Sequence, residues 1–390
     1  MDAPVYLDNH ATTRCDPAVV EAMAPYWSER FANPASRSHG PGAEARAAVE
    51  AARSAVAGWI GASPKELVFT SGATESDNLA LLGAARARRA AEGRDHVVTL
   101  ATEHPAVLDC VAALGRQGHA VTVLPVGADG LVDPDDVAAA LRPTTAVVSV
   151  MLVNNEIGVM QPVAAIAERC RARGVWVHCD AAQAASVPVD VEALGVDLLS
   201  LSAHKLYGPK GIGALYVRRT RPRIVLEPLQ YGGGHERGLR SGTLPTPLAV
   251  GFGRAAELLV AERPAAFARL AALRDRLWDG LRAELDGLTL VGAAAPRAPC
   301  NLNVVVEGVE AAALLMAVRR TVSLSTGSAC ASEQAAPSHV LRALGLGDAA
   351  QQAIRVGVGR FTTEAEIDRA LAALVAAVRD LRRLSGLALA

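Results

Sequence analysis

The sequence predicts an α/β protein whose large sheet is mainly parallel and covered by helices. Short β-rich runs alternate, through the middle of the chain, with Ala- and Leu-rich stretches of helical length. That alternation is typical of parallel sheets with helices on both faces. Hydrophobic residues make up 51% of the 390 residues, which is enough apolar material for a large buried core.

Seven apolar runs are the candidate strands of this sheet. Their positions are 66–70, 96–100, 120–126, 145–153, 175–180, 197–203 and 212–217. Between them we predict helices that include 75–93 and 162–174, and Gly174 suits the C-cap of the second. Ligands of open α/β sheets bind at the carboxyl ends of the strands, so the polar residues directly after each strand matter most.

The pattern changes after about residue 255. Two long helical stretches and two further strand-like runs follow, at 255–285, 364–385, 301–308 and 353–361. We interpret this region as a smaller α+β domain. The predicted division is a large domain over residues 15–255 and a small domain formed by residues 1–14 and 256–390.

Composition disfavours several functional classes. Lys+Arg number 39, Asp+Glu number 40, and no basic block occurs, so we expect neither nucleic acid nor a membrane surface as a partner. No apolar run reaches the roughly 18 residues of a transmembrane helix, and the N-terminus lacks the features of a signal peptide. Six cysteines without a CxxC pair fit a reducing cytoplasm. The histidines show no HxxxH or HExxH spacing, so we expect no metal site.

Only three lysines occur, so any chemistry that needs a primary amine has three candidates. Lys205 follows the candidate strand 197–203, next to His204, at a place where burial favours a neutral, nucleophilic amine. Lys65 lies in a polar loop and Lys210 in a Gly-Pro-Lys-Gly turn. Lys205 is therefore the predicted reactive amine.

Two other strand ends carry polar residues that complement such an amine. The segment SGATESDN (71–78) feeds a helix N-terminus that offers N–H groups to a phosphate, although an ordinary helix cap is the alternative. Asp180 ends a buried strand and is a candidate partner for a protonated ring nitrogen, with a cap or a structural salt bridge as the alternative. An amine, an acid and a phosphate turn are the groups that pyridoxal phosphate requires.

Four further features have a functional and a structural interpretation. His104 could stack on a flat ring and move protons, or it could cap a loop. Arg355, in a strand, has either a substrate carboxylate or a structural acid as partner. The Gly-rich loop 232–243 contacts an anion, for example in a neighbouring subunit, or is a surface loop. Cys330 lies in a small-residue stretch where a thiolate could be exposed, unlike the usual buried cysteine.

Taken together, the motifs resemble the cysteine desulfurases, the NifS/IscS-like branch of the class V aminotransferases. The resemblance runs nearly end to end, through YLDNHATT, NPASRSHG, FTSGATESDN, TEHPAVLD, VNNEIGV, HCDAAQ, LSAHKLYGPKGIGALYV, GGGHERGLRSGT, STGSACAS and IRVGVGRFTT. It implies the fold of type I pyridoxal phosphate-dependent transferases, pyridoxal phosphate as cofactor, and a homodimer.

The resemblance also implies a role for individual residues. Lys205 would form the Schiff base, Asp180 would pair with the pyridine nitrogen and Gln183 would bond the ring hydroxyl. His104 would stack on the ring and assist proton transfer, and Cys330 would be the nucleophile. The remaining implied contacts are Ala73, Thr74, Ser202 and His204 to the phosphate, Thr243 to the phosphate of the other subunit, Asn154 to cofactor and substrate, and Arg355 to substrate.

The function implied is removal of sulfur from L-cysteine, which gives L-alanine and a persulfide on Cys330. The sulfur would pass to an acceptor protein, such as an iron–sulfur scaffold, or to another thiolation. No resident metal is implied, and a transient cluster contact is implied only at Cys330. The alternatives are a selenocysteine lyase or a small-amino-acid aminotransferase of the same fold and, in another class, an inactive partner that binds a sulfur carrier.

Overall fold

The structure is a computed structural model that describes residues 3–220, 223–326 and 338–386. Cys330, the predicted nucleophile, lies outside the described residues. The β-strands of the described part are Val5–Tyr6 (β1), Leu67–Thr70 (β2), His96–Leu100 (β3), Ala120–Leu124 (β4), Thr145–Ser149 (β5), Trp176–Asp180 (β6), Leu198–Ser202 (β7), Gly213–Val217 (β8), Leu288–Leu290 (β9), Asn301–Val306 (β10), Val322–Ser323 (β11) and Ala353–Gly357 (β12).

The helices alternate with these strands through the first two thirds of the chain. They are Pro17–Met23 (α1), Pro25–Ser28 (α2), Gly40–Trp59 (α3), Ala73–Glu92 (α4), Pro105–Arg116 (α5), Pro134–Ala140 (α6), Val163–Arg171 (α7), Val191–Leu194 (α8), Thr246–Glu284 (α9), Ala311–Val318 (α10), His339–Ala343 (α11) and Glu364–Leu384 (α12). Within the described residues, none of these helices has both the length and the apolar character needed to cross a membrane.

The predicted seven-stranded sheet is present and mainly parallel. Its strand order is β2-β8-β7-β6-β5-β3-β4, and only β8 runs antiparallel to its neighbours. Three candidate strands end earlier than predicted, β4 by two residues, β5 by four and β7 by one. Pro125, which has no N–H for the ladder, follows the last residue of β4. After β5, the side chain of Asn154 accepts hydrogen bonds from the backbone of a tight turn.

Both faces of this sheet are buried, as its apolar strands require. Val97, Val147 and Leu198 belong to the core on the face covered by α4 and α5. The alternate residues, such as Val148 and Leu199, belong to the core on the other face, with side chains from α3, α7 and α9. The sheet therefore presents its functional residues only at its ends.

The second region contains a three-stranded antiparallel sheet, β12-β10-β9, and the parallel pair β1-β11. Val5 and Leu7 of the N-terminal segment lie in its apolar core, together with side chains from α9 and α12. Helix α9 starts earlier than the predicted 255–285 and continues through position 255 as a single helix. The domain limits therefore stay a prediction.

Candidate active site

A cavity of about 460 Å³ lies at the carboxyl edge of the seven-stranded sheet. Residues that follow β2, β3, β6 and β7 line it, as expected for the ligand-binding edge of such a sheet. The residues predicted from the sequence that meet here are Ala73, Thr74, His104, Asp180, Gln183, Ser202, His204, Lys205 and Arg355. Arg355 comes from β12, so the cavity lies between the large sheet and the second region.

Lys205 reaches the cavity from a short 3₁₀ turn directly after β7. Its Nζ donates hydrogen bonds to the carbonyl oxygen of His10 and, at 2.8 Å, to that of Ala11. Two residues later, Tyr207 has a left-handed φ of 65°, and its hydroxyl accepts a 2.7 Å hydrogen bond from the Arg360 N–H. A left-handed non-glycine residue persists only where its surroundings hold it, so the backbone directly after Lys205 is fixed by its contacts.

The turn between β2 and α4 has the properties of a phosphate site. Ser71, Gly72, Ala73 and Thr74 line the cavity, and no side chain caps the N-terminus of α4. Its first N–H groups, at the positive end of the helix dipole, are therefore available to an anion. Gly213 allows the turn to approach β8, because a Cβ there would lie 2.7 Å from the Cα of Gly72.

Asp180 is a buried acid with an oxygen that is unused by the described residues. Its Oδ1 accepts a 2.9 Å hydrogen bond from the Ala182 N–H, and no ion pair to Asp180 exists within the described residues. The structural salt bridge considered from the sequence is therefore absent from that part of the chain. Burial, with a contribution from the nearby charge of Asp77, raises the pKa of Asp180 to about 6. A cationic ligand atom would favour the ionised form of such a carboxyl group.

Asp77, which we did not predict, is a second buried acid at this edge. It lies in the first turns of α4, lines the cavity and is 1% exposed. Its Oδ1 has no hydrogen-bond partner within the described chain, and His178 Nε2 is 3.5 Å away. Both ring nitrogens of His178 are bonded to serines, Ser149 and Ser200, and burial lowers its pKa to about 4. This imidazole is therefore neutral, and burial raises the pKa of Asp77 to about 7.

We predict that Asp77→Asn stabilises the cofactor-free chain at alkaline pH and much less at acid pH. The Asp77 carboxyl titrates near 3.8 when unfolded and near 7 when folded, so its contribution to stability is lost as the pH rises through that window. The difference in unfolding free energy, variant minus wild type, should rise by on the order of 3 kcal/mol between pH 5 and pH 8. Urea unfolding at both pH values measures it. Asp279→Asn, at an exposed acid of α9, is the control, and an equal difference at both pH values would contradict the prediction.

Three imidazoles with a lowered pKa line the cavity, those of His10, His104 and His204. Burial lowers the pKa of His104, and it lowers that of His204 to about 4 with contributions from the charges of Lys205 and Lys210. His104 caps α5 by accepting a 3.1 Å hydrogen bond from Ala106 N at Nδ1, which leaves Nε2 for a ligand. Lys210, which the sequence placed in a turn, also lines the cavity.

Gln183 is paired with His10, a residue that sequence reasoning missed. Gln183 Nε2 donates a 2.9 Å hydrogen bond to the His10 carbonyl oxygen, and its Oε1 lies 3.2 Å from His10 Nδ1. Asn301 Nδ2 lies 3.2 Å from His10 Nε2, which assigns the ring proton to Nδ1. Burial lowers the pKa of His10 to about 3. These partners are far apart in sequence, so no local motif could have indicated the cluster.

Arg355 has the structural acid of its two interpretations, and its contact with a substrate carboxylate stays a prediction. Its Nη2 donates a 2.8 Å hydrogen bond to Asp8 Oδ1, and Nη1 donates at 3.0 Å to the Asn155 carbonyl oxygen. The structural acid is therefore present. The side chain is nevertheless buried with no partner for Nε among the described residues, and it lines the cavity.

Three predicted residues are not part of the described cavity wall. Asn154 is buried, and its Oδ1 accepts hydrogen bonds from the Glu156 N–H and the next N–H, while the neighbouring Asn155 lines the cavity. Thr243 is exposed on its loop. Cys330 lies outside the described residues. Their roles stay predictions.

The groups around the cavity fit pyridoxal phosphate. The cofactor presents an aldehyde, a ring nitrogen and a phosphate, which require an amine, an acid and N–H donors. The cavity supplies these at Lys205, at Asp180 and at the N-terminus of α4. The unused oxygen of Asp180 and the uncapped helix are polar groups that such a ligand would satisfy.

Comparisons with known proteins agree with this chemistry. The family model "Aminotransferase class-V" matches residues 5–370. Cysteine desulfurase IscS of Anaeromyxobacter dehalogenans is 55% identical over 389 residues, which cover 99% of this chain and 95% of that protein. A solved NifS-like protein has a TM-score of 0.88 at 35% identity, covering 97% of this chain and 100% of that one.

A structure titled SspA in complex with cysteine has a TM-score of 0.81 at 38% identity, covering 92% of this chain and 99% of that one. The family and fold expected from the sequence are thereby confirmed. The chain therefore belongs to the class-V aminotransferases, which depend on pyridoxal phosphate, and within them to the cysteine desulfurases.

Proposed function

We propose that this chain takes sulfur from L-cysteine, releases L-alanine and keeps the sulfur as a persulfide on Cys330. The observation that carries the proposal is that the Lys205 amine, the Asp180 carboxyl and the Arg355 guanidinium line one cavity. Cysteine is the ligand of the similar SspA structure, which supports the choice of substrate.

Pyridoxal phosphate, when bound, supplies an electron sink for the pair released at the substrate Cα. Lys205 Nζ is the amine that would hold the cofactor aldehyde, and the base that would take the Cα proton. The Asp180 carboxylate would keep the ring nitrogen protonated, because a buried anion stabilises an adjacent cation. His104, with Nδ1 already bonded, would stack on the ring and pass protons through Nε2.

The remaining cofactor contacts follow from the cavity wall. Ala73 and Thr74 would hold the phosphate through the N-terminus of α4, with Ser202 and His204 beside them. Gln183 would form a hydrogen bond to the ring hydroxyl while it keeps its hydrogen bonds to His10. These roles are supported by the common cavity and by the family resemblance.

Arg355 would bind the carboxylate of the substrate. Asp8 and the Asn155 carbonyl oxygen hold the guanidinium through one N–H of each Nη atom, and each Nη carries a second N–H that a carboxylate could accept. Asn154 would contribute by holding the turn that brings Asn155 to the cavity. A fixed guanidinium orients a carboxylate better than a mobile one, because less side-chain entropy is lost on binding.

Cys330 would be the nucleophile. Its thiolate would attack the substrate sulfur, forming an S–S bond while the Cβ–S bond breaks. The electron pair of the broken bond would go to the substrate Cβ, which would take up a proton delivered by a cavity group such as His104 and become the methyl group of alanine. The other five cysteines are described, and burial raises the pKa of each thiol, which disfavours a thiolate.

Both neighbours of the segment 327–337 are attached to cavity-lining residues. Before it, Ser325 exchanges backbone hydrogen bonds with Arg355. After it, Ser338 Oγ donates a hydrogen bond to the carboxylate of Glu156. The described residues before and after the segment that contains Cys330 are therefore bonded to residues of the cavity wall. This supports the proposed role of Cys330 at that cavity.

The proposed assembly is a homodimer in the cytoplasm that delivers sulfur to an acceptor protein, such as an iron–sulfur scaffold. Thr243 is exposed and does not line the described cavity of its own chain, which fits a contact to the phosphate of a second copy. The cytoplasm is supported by six cysteines without a CxxC pair.

Turnover of L-cysteine by the holoenzyme tests the function. We expect one alanine per persulfide on the first turnover, measured by amino-acid analysis and by mass spectrometry of the Cys330 peptide. A requirement for a keto acid would instead indicate an aminotransferase, and alanine from selenocysteine alone would indicate a selenocysteine lyase. A protein that stays colourless with added pyridoxal phosphate would indicate an inactive partner.

A further inference from the structure

Strand β2 leads into the phosphate turn, and its outer edge is covered by side chains rather than by another described strand. β2 is the outermost strand of the large sheet and continues directly into residues 71–74. On its outer edge, the Leu67 carbonyl oxygen accepts hydrogen bonds from Arg53 at 3.0 Å and from Arg237 at 2.6 Å. The Phe69 N–H donates at 2.7 Å to Glu236 Oε2. Side chains thus replace a missing neighbouring strand.

Arg53 and Glu236 form a buried ion pair at this edge. Arg53 Nη1 and Nη2 each donate a 2.7 Å hydrogen bond to one carboxylate oxygen of Glu236. Their side chains are only 4% and 2% exposed. Arg53 also lies over the ring of Phe69, 4.7 Å from its centroid. A bidentate pair with its remaining donors satisfied holds both partners in one geometry.

The same pair holds an unusual backbone in the loop 232–243. Glu236 and Arg237 have left-handed φ angles of 48° and 58°, which non-glycine residues rarely adopt. Such a conformation persists only when the surrounding contacts determine it. A second link lies nearby, where Arg240 Nε donates at 2.9 Å to Glu75 Oε1, while Glu75 Oε2 accepts a 2.6 Å hydrogen bond from the Ser71 N–H.

We propose that Glu236 is a positioning residue for the cofactor phosphate. Through Arg53 and the edge of β2, it sets the position of the phosphate turn 71–74 against the loop 232–243. The proposal rests on the proposed function, because that function places the phosphate at this turn. A phosphate bound by several N–H groups loses affinity when the turn that carries them shifts, so the loss should fall on phosphate binding rather than on the ring.

Glu236→Gln tests the proposal in the full-length apoprotein. The amide keeps an acceptor for Phe69 but loses the charge that holds Arg53. We expect the dissociation constant of pyridoxal phosphate to rise about tenfold, or about 1.4 kcal/mol, while that of pyridoxal, which lacks the phosphate, stays within about twofold. Absorbance titration measures both. Glu44→Gln, at an exposed ion pair with Arg30, is the matched control and should change neither constant.

Arg240→Gln keeps the test decisive if Glu236→Gln does not fold. It breaks the partly exposed ion pair between Arg240 and Glu75. The dissociation constant of pyridoxal phosphate should rise, by a smaller factor than in Glu236→Gln, while that of pyridoxal stays nearly unchanged. The proposal would be overturned if the dissociation constants of pyridoxal phosphate and pyridoxal rose equally, or if neither constant rose in either folded variant. If the wild-type chain itself bound no pyridoxal phosphate at Lys205, the proposed function would fail first.

Discussion

Lys205→Ala is expected to lose the covalent cofactor and the activity together. The variant removes the amine that would hold the aldehyde and take the Cα proton, so alanine formation from L-cysteine should fall by at least about 10³-fold. Borohydride reduction of the wild-type holoenzyme, followed by peptide mapping, should label the peptide that contains residue 205. The same treatment of the variant should label no peptide.

Lys210→Ala is the matched control for this prediction, because Lys210 is the other lysine that lines the described cavity. It should keep the covalent cofactor, since its amine is exposed and belongs to a turn rather than to a strand end. Reduction that labels the peptide containing Lys210 or Lys65, with the Lys205 peptide unmodified, would contradict the assignment and the mechanism built on it.

Cys330→Ser is expected to separate cofactor chemistry from sulfur transfer. Lys205 and Asp180 are unchanged in this variant, so cofactor loading and absorbance should match the wild type. A serine hydroxyl does not accept sulfur as a thiolate does, so persulfide and alanine should form at least about 10³-fold more slowly, and substrate adducts should accumulate. Rapid mixing with L-cysteine, followed by absorbance and mass spectrometry, measures both effects.

Cys300→Ser provides the control for the nucleophile. Cys300 contacts a residue of the cavity wall, with its Sγ 3.9 Å from His10 Nε2 and 3.1 Å from Ser186 Oγ. Burial raises the pKa of its thiol, so its loss should leave persulfide formation largely intact. Normal alanine release by the Cys330 variant together with a loss in the Cys300 variant would reverse the assignment.

Apart from Arg355, which belongs to β12 of the second sheet, the residues predicted correctly to line the cavity lie at or directly after the carboxyl ends of strands of the large sheet. Their position depends on local hydrophobic patterning and on the rule that such strands end at one edge. Lys205 and Asp180 could be located in this way before any coordinates were known. The cavity then adds information that patterning lacks, such as the bonding of the Lys205 amine to two carbonyl oxygens of the N-terminal segment.

The residues that were missed depend on contacts between distant parts of the chain. Asp77 occupies a helical position in the sequence pattern, and it is buried against His178 of another element. The pair of Arg53 and Glu236 joins positions 183 residues apart. Charged residues at such spacings have no periodic signal, so only the packed fold shows that they meet.

The ion pair between Asp8 and Arg355 has a consequence for biosynthesis. Its members are 347 residues apart, and each holds part of the cavity wall in place. When all strands of the large sheet have emerged from the ribosome, Arg355 has not yet been synthesised. The nascent chain then still lacks the guanidinium that would bind a carboxylate. During translation, Arg355 can therefore join the cavity wall only after residue 355 has emerged, later than the wall residues between positions 71 and 211.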